Sequence, residues 1–117
     1  MKQLVLIVFL VIFVGALSGA FATRGGGSES VAIPAQSAAA SYAKNCASCH
    51  GRDGQAKTTK GRKTHARNLV DPEWQARVSD ERIFNSIMNG KGKMPEYSKK
   101  LSEQEIDALV NFVRSFR

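Results

Sequence analysis

Residues 46–50 read Cys46-Ala47-Ser48-Cys49-His50, and this stretch holds both cysteines of the chain and one of its two histidines. Two cysteines three positions apart on a helical turn present their sulfur atoms on the same side. In this C-x-x-C-H pattern each sulfur can form a thioether with one vinyl group of a haem, and the histidine that follows can ligate the iron. The stretch therefore predicts one covalently bound haem c, attached through Cys46 and Cys49 and ligated by His50.

Three other chemistries use cysteine and histidine, and the pattern favours none of them. A disulfide between Cys46 and Cys49 would close a very short loop and leave the adjacent His50 without a role. A thioredoxin-like pair opens a helix that follows a strand, whereas this pattern ends a helical stretch. A zinc site would need His65 as a further ligand, and adjacent cysteine and histidine ligands do not match the usual spacing.

A second axial ligand is predicted in the polar loop of residues 90–95. Met94 stands in this loop, 44 residues after His50, and a thioether sulfur is a soft iron ligand that raises the haem potential. A lone methionine more often fills a gap in a core, which is the role that we assign to Met88 on its helical stripe. His65 is the rival ligand, but its strongly basic surroundings are typical of a solvated loop histidine. We therefore predict Met94.

The N-terminal segment predicts export. Residues 1–22 combine a short positive start, an apolar run over residues 4–17 and the small-residue cleavage pattern Ala20-Phe21-Ala22. We predict a signal peptide over 1–22, with an uncleaved membrane anchor as the alternative, because residues 4–22 are just long enough to span a bilayer. Both interpretations indicate a periplasmic or otherwise exported protein. Residues 23–36, rich in Gly, Ser and Ala, predict a flexible linker.

Residues 37–117 form the predicted domain, and they contain little material for a core. The whole chain is 43% hydrophobic, but much of that content lies in residues 1–22. A domain of this size usually needs a disulfide, metal or cofactor for stability, and a haem would supply it. Helical periodicity without any strand pattern predicts an all-α fold, and residues 51–67 read as a loop. The predicted helix starts are Ser37, Asp71 with Pro72, Ser79, and Ser102 with Glu105 as a capping box, and Gly90 is a predicted helix end.

The motifs together resemble a class I cytochrome c of the small monohaem bacterial kind. The resemblance covers about residues 37–116, and its carriers are Tyr42, the 46–51 stretch with Gly54, Asn68-Leu69, Gly90, Met94-Pro95, and Leu101-Ser102 with Glu105-Ile106 and Leu109. It implies N- and C-terminal helices that cross around the haem, with His50 and Met94 as axial ligands. In many relatives a proline precedes the Asn-Leu pair, and a backbone carbonyl nearby accepts the N–H of the proximal histidine. This chain has Arg67 in place of that proline. Trp74 is expected either beside the haem or in the core.

A haem iron with both axial positions filled by protein has no open site for a substrate, so we expect electron transfer and no enzymatic activity. The net charge of the chain is +7. Ten basic and two acidic residues fall in the segments 51–67 and 91–100, while the other residues after Ala22 sum to a charge of −2. This distribution predicts a basic rim around the haem edge that docks redox proteins with an acidic surface.

No nucleic acid is expected as a partner of an exported protein, and we expect a monomer whose membrane association could come only through the N-terminal segment. Two other functions stay open. The domain could be a membrane-tethered haem c module or a subunit of a larger oxidase, reductase or dehydrogenase. It could also be a ligand-binding or peroxidatic haem protein, which would require Met94 to leave the iron.

Overall fold

The computed structural model describes residues 34–116, so the predicted signal peptide and all but the last three residues of the predicted linker lie outside the described residues. Within this range the chain forms no strand, and one isolated antiparallel bridge pairs Lys91 with Met94. The helices are α1 (Ala35–Asn45), α2 (Ala47–His50), α3 (Thr59–Thr64), α4 (Pro72–Arg77), α5 (Asp80–Asn89) and α6 (Glu103–Arg114). None of these helices is long and apolar enough to cross a membrane. The all-α prediction is confirmed.

Side-chain caps begin three of the helices where the sequence predicts them. The carboxylate of Asp71 accepts the N–H of Glu73 at 3.0 Å before Pro72 opens α4. The hydroxyl of Ser79 accepts from Arg82 at the start of α5. These caps satisfy N–H groups that the first turn leaves unpaired. At the start of α6, the capping box of Ser102 and Glu105 is complete.

Two predictions about local structure are wrong. Helix α1 begins at Ala35 after Pro34, and the predicted cap Ser37 lies inside its first turn, where its hydroxyl donates to the Pro34 carbonyl at 2.6 Å. Proline suits this boundary because it has no N–H to leave unpaired. The predicted loop of residues 51–67 contains α3, whose first turn is capped by the side chain of Thr58. This cap offsets the low helix propensity of the two threonines and the glycine in this six-residue helix.

The N- and C-terminal helices pack against each other through aromatic rings. The ring of Tyr42 on α1 lies 4.9 Å from that of Phe112 and 5.4 Å from that of Phe116, centroid to centroid. The apolar stripe of α5 packs against the same core, with Phe84 and Met88 at its margin. The buried apolar side chains in residues 34–116 are Ala38, Tyr42, Leu69, Ile83, Ile87, Ile106, Leu109, Val110 and Val113, of which Ile106 and Leu109 are fully buried.

A buried polar network links α4 to the C-terminal helix, and no local pattern in the sequence predicts it. The side-chain amide of Gln75 donates to the carbonyls of Leu69 and Val113, at 2.8 and 2.9 Å. Its amide oxygen accepts from Arg114, whose guanidinium also pairs with Asp80 at 2.6 Å. Because Gln75 is 7% exposed, its partners have little access to water once it is removed.

We expect Gln75→Leu to lower the free energy of unfolding by about 1–3 kcal/mol. The Leu69 carbonyl and one guanidinium N–H lose their partner, and the Val113 carbonyl keeps only the N–H of Phe116, at 3.3 Å. The same substitution at Gln104, exposed on α6, is the matched control and should change stability by less than about 0.5 kcal/mol. Denaturant unfolding of the two variants measures both values. Equal stabilities would show that the Gln75 network contributes nothing.

Candidate haem-binding site

The C-x-x-C-H stretch forms a tight turn at a break between two helices. Helix α1 ends at Asn45, Cys46 adopts φ −114°, and α2 follows at once. The N–H of His50 donates to the Cys46 carbonyl at 2.9 Å, and Gly51 leaves the turn at φ 80°. The buried hydroxyl of Tyr42 donates to the Gly51 carbonyl at 2.8 Å. The turn is therefore fixed at both ends by hydrogen bonds.

Helix α3 packs directly on this turn. The hydroxyl of Thr58 donates to the Ser48 carbonyl at 2.8 Å and accepts the N–H of Gly61, also at 2.8 Å. Gly61 is buried, and a Cβ atom there would overlap the carbonyl oxygen of Cys49. Glycine is thus required by close approach to the backbone and not by an unusual φ. Part of the basic stretch that we predicted as a loop is therefore a helix, held against the C-x-x-C-H turn.

A single cavity of about 450 Å³ brings the predicted site residues together. Its size lies within the ~300–1,000 Å³ typical of cofactor pockets. Cys46, Cys49 and His50 line it, and so does Met94 from the loop after α5. The rest of the lining is largely apolar and includes Leu69, Trp74, Val78, Ile83, Ile87, Pro95, Leu109 and Val113. A flat hydrophobic group with two thiol-reactive positions fits this chemistry.

The imidazole of His50 is oriented by a backbone carbonyl. Its Nδ1 lies 2.9 Å from the carbonyl oxygen of Arg67. Since a carbonyl can only accept, Nδ1 carries the proton, and the other ring nitrogen is left with a free lone pair for a metal. Burial lowers the pKa of His50, against the opposing effect of the Arg67 hydrogen bond, and so favours the neutral ring. Arg67 in place of proline keeps the hydrogen bond to His50, because the acceptor is the backbone carbonyl, which both residues have.

The two cysteines are unbonded thiols at partly buried positions. Burial, with the neighbouring Cys49, raises the pKa of Cys46 to about 11, so this thiol keeps its proton at neutral pH. The rival ligand His65 is exposed, adopts φ 55° at the end of α3, and lines the same cavity. Among residues 34–116, no three side chains of the His, Cys, Asp and Glu types are grouped to hold a metal ion. The arrangement gives no support to a zinc site.

The Met94 loop is shaped by its own backbone. Lys91 and Met94 exchange two N–H to carbonyl bonds, at 3.1 and 3.0 Å, which close a tight turn. Gly90 precedes the turn at φ 73°, and a Cβ there would lie 2.6 Å from the Met94 carbonyl oxygen. Met94 itself is partly buried and packs against the core. The loop therefore directs a methionine towards the cavity that His50 lines.

Several lining residues were not singled out from the sequence as site residues. Tyr97 and Asn45 line the cavity and share a hydrogen bond. Trp74 lines it and also packs against the core. The charged lining residues are all cationic: Arg67, Arg82, Lys91 and Lys93. The charge of a loop residue is visible in the sequence, but its distance from the cavity depends on how the loop folds.

Comparison with known proteins agrees with this geometry. A protein-family model described as "Cytochrome C oxidase, cbb3-type, subunit III" matches residues 34–113. The cytochrome c6 of Bryopsis maxima is 36% identical over 72 residues, which make up 62% of this chain and 80% of the relative. A cbb3-type cytochrome c oxidase subunit, FixP of Azorhizobium caulinodans, is 36% identical over 75 residues, 63% of this chain and only 24% of FixP.

A solved structure extends the likeness to three dimensions. The KustC0563 c-type cytochrome superimposes with a TM-score of 0.65 at 41% identity, covering 68% of this chain and 96% of that one. The fold and site thus define a haem-binding protein of the class I cytochrome c type, whose chemistry is electron transfer. The chain belongs to the cytochrome c family that the matching model describes.

We expect Gly61→Ala to destabilise the site, although alanine favours helix formation. The added methyl group overlaps the Cys49 carbonyl, and relief of that overlap moves α3 away from the C-x-x-C-H turn. The free energy of unfolding should fall by about 1–3 kcal/mol. Lys60→Ala, exposed on the same helix, is the control. Thermal unfolding and the yield of haem-loaded protein are the measurements; a Gly61→Ala protein as stable as the control would contradict the close approach.

Proposed function

We propose that this protein is an exported carrier of single electrons with one haem c. Cys46 and Cys49 would attach the haem by two thioethers, and His50 and Met94 would be its axial ligands. The observation that carries this proposal is that all four side chains line one cavity. When bound, the haem supplies an iron that gains and loses one electron without releasing a product.

The residues around the cavity have distinct parts in this function. The Arg67 carbonyl holds His50 in one tautomer, and the other ring nitrogen would be free to ligate the haem iron. Met94 would supply a soft sulfur from the loop after α5, and such a ligand favours the reduced state of a haem iron. With both axial positions occupied by the chain, no position is left for a substrate, and we infer that the protein is a carrier and not an enzyme.

The proposed docking face is a basic surface that tertiary structure assembles from two segments. Its members are Lys57, Lys60, Arg62, Lys63, Lys91 and Lys93. The ammonium group of Lys93 donates to the Lys63 carbonyl at 3.0 Å, which joins the Met94 loop to α3. The ion pairs formed within residues 34–116 join Lys99 to Glu96 and Arg114 to Asp80, and so use none of the basic surface. Lys91 and Lys93 also line the cavity, so cations without an ion-pair partner in the described part of the chain lie at its edge, which supports docking of an acidic redox partner.

A second candidate function is that of a haem c module in a larger oxidase complex. The match to the cbb3-type family model and to about a quarter of FixP supports it. Residues 1–22 would then act as an uncleaved anchor, and the protein would purify from membranes together with larger subunits. Recovery as a soluble monomer from the periplasmic fraction would instead support the free carrier.

We expect Met94→Leu to lower the reduction potential, because the variant loses the sulfur that favours ferrous iron while keeping a similar volume. The absorption band of methionine-ligated ferric haem should disappear, and the ferrous protein should bind carbon monoxide. Redox titration and visible spectroscopy measure these effects. Met88→Leu is the matched control, since Met88 packs at the core margin, and it should keep potential and band. An unchanged Met94→Leu protein would remove Met94 from the proposal.

We expect the rate of electron transfer to an acidic redox protein to fall as ionic strength rises from about 0.01 to 0.1 M, because the screening length shortens from about 30 to 10 Å. At the low-salt end, Lys63→Glu should slow the bimolecular step by roughly two- to tenfold. Stopped-flow mixing measures the rate.

Arg77→Glu is the control for Lys63→Glu. It makes the same change in net charge, but on α4 and outside the basic surface. A smaller effect of Arg77→Glu is expected, because docking depends on local charge more than on net charge. Equal slowing by the two variants, or a rate that does not respond to salt, would refute the basic surface as the docking face.

A further inference from the structure

Tyr97 connects the Met94 loop to a fixed part of the fold through its backbone. Its N–H donates to the Ile87 carbonyl in the last turn of α5, at 3.1 Å. Its own carbonyl accepts the N–H groups of Lys100 and Leu101, both at 2.9 Å. These bonds hold the residue that lies three positions after Met94 at a defined place beside the cavity.

The side chain of Tyr97 reaches the other side of the site. Its hydroxyl donates to the carbonyl of Asn45 at 2.8 Å, across 52 positions of sequence. Asn45 is the last residue of α1 and directly precedes Cys46. Both Tyr97 and Asn45 line the cavity. This hydrogen bond therefore joins the loop that carries Met94 to the turn that carries the attachment cysteines.

The helix break at Cys46 explains why this carbonyl can accept from a side chain. In a continuous helix the N–H of Cys49 would donate to Asn45, four residues earlier. Here the N–H of Cys49 donates to the Cys46 carbonyl at 3.1 Å instead. The Asn45 carbonyl is thus a helix-end acceptor, and the Tyr97 hydroxyl satisfies it. Burial raises the pKa of Tyr97, so the hydroxyl keeps the proton that it donates.

We propose that Tyr97 is a positioning residue for the second axial ligand: its hydrogen bond to the Asn45 carbonyl holds the Met94 loop against the attachment turn. The inference rests on the proposed ligation of iron by Met94. Without the hydroxyl the loop keeps its anchor on α5 but loses its link to the turn. The methionine sulfur then leaves the iron more often, and an external ligand gains access.

The test uses the haem-loaded ferric protein and imidazole as the competing ligand. Tyr97→Phe removes the hydroxyl and keeps the ring. Displacement of the methionine by imidazole, followed by loss of the methionine-ligation band in stopped-flow mixing, should become roughly two- to tenfold faster, the range expected for the loss of one neutral hydrogen bond. The unfolding midpoint of each protein is measured in parallel.

A variant with a core defect separates positioning from general instability. Val110→Ala creates a small cavity at a buried site on α6 that does not line the haem cavity. It should lower the unfolding midpoint but leave imidazole displacement at the wild-type rate. Wild-type displacement kinetics in Tyr97→Phe, or equal acceleration in both variants, would overturn the proposal. Absence of the methionine band from the wild-type ferric protein would refute Met94 ligation itself, whatever Tyr97 does.

Discussion

The break in the helical backbone at Cys46 is the constraint on which the site depends. In a helix that continued from α1 through the C-x-x-C-H stretch, the Asn45 carbonyl would accept the N–H of Cys49 and the Cys46 carbonyl that of His50. The break frees the Asn45 carbonyl for Tyr97 and lets the Cys46 carbonyl take the N–H groups of both Cys49 and His50. Cys46, Cys49 and His50 then line the same cavity, and the Asn45 carbonyl at the end of α1 accepts from the Tyr97 hydroxyl.

A second consequence of this geometry is that the small core is built around the site. Tyr42 contacts both the core and the site. Its ring packs on Phe112 and Phe116 of the C-terminal segment, and its hydroxyl donates to the Gly51 carbonyl, which directly follows the C-x-x-C-H stretch. Leu109 and Val113 of α6 are core residues that also line the cavity. A bound haem would therefore complete the same apolar interior that holds the helices together, as a cofactor-stabilised small domain requires.

Local signals in the sequence predicted much of the fold, and their failures have physical causes. The caps at Asp71, Ser79 and Ser102 were predictable because each acts on N–H groups two or three residues away. Helix α3 was not, because it is only six residues long, contains two threonines and a glycine, and depends on Thr58 and on the approach of Gly61 to Cys49. Gln75 was missed for a related reason, since its partner Val113 is 38 positions away.

The sequence by itself determined the chemistry, because spacing within one turn decides which sulfur and nitrogen atoms can serve one haem, and the pattern at residues 46–50 leaves few alternatives. It also predicted Met94 as the second ligand, from the contrast between a methionine and its polar loop, and this residue lines the same cavity as His50. Only the tertiary structure decided what lies around them: the Arg67 carbonyl that orients His50, the Tyr97 bond to Asn45, and the joining of two basic segments through Lys93. These contacts span 17, 52 and 30 positions, and no local propensity encodes a partner at such distances.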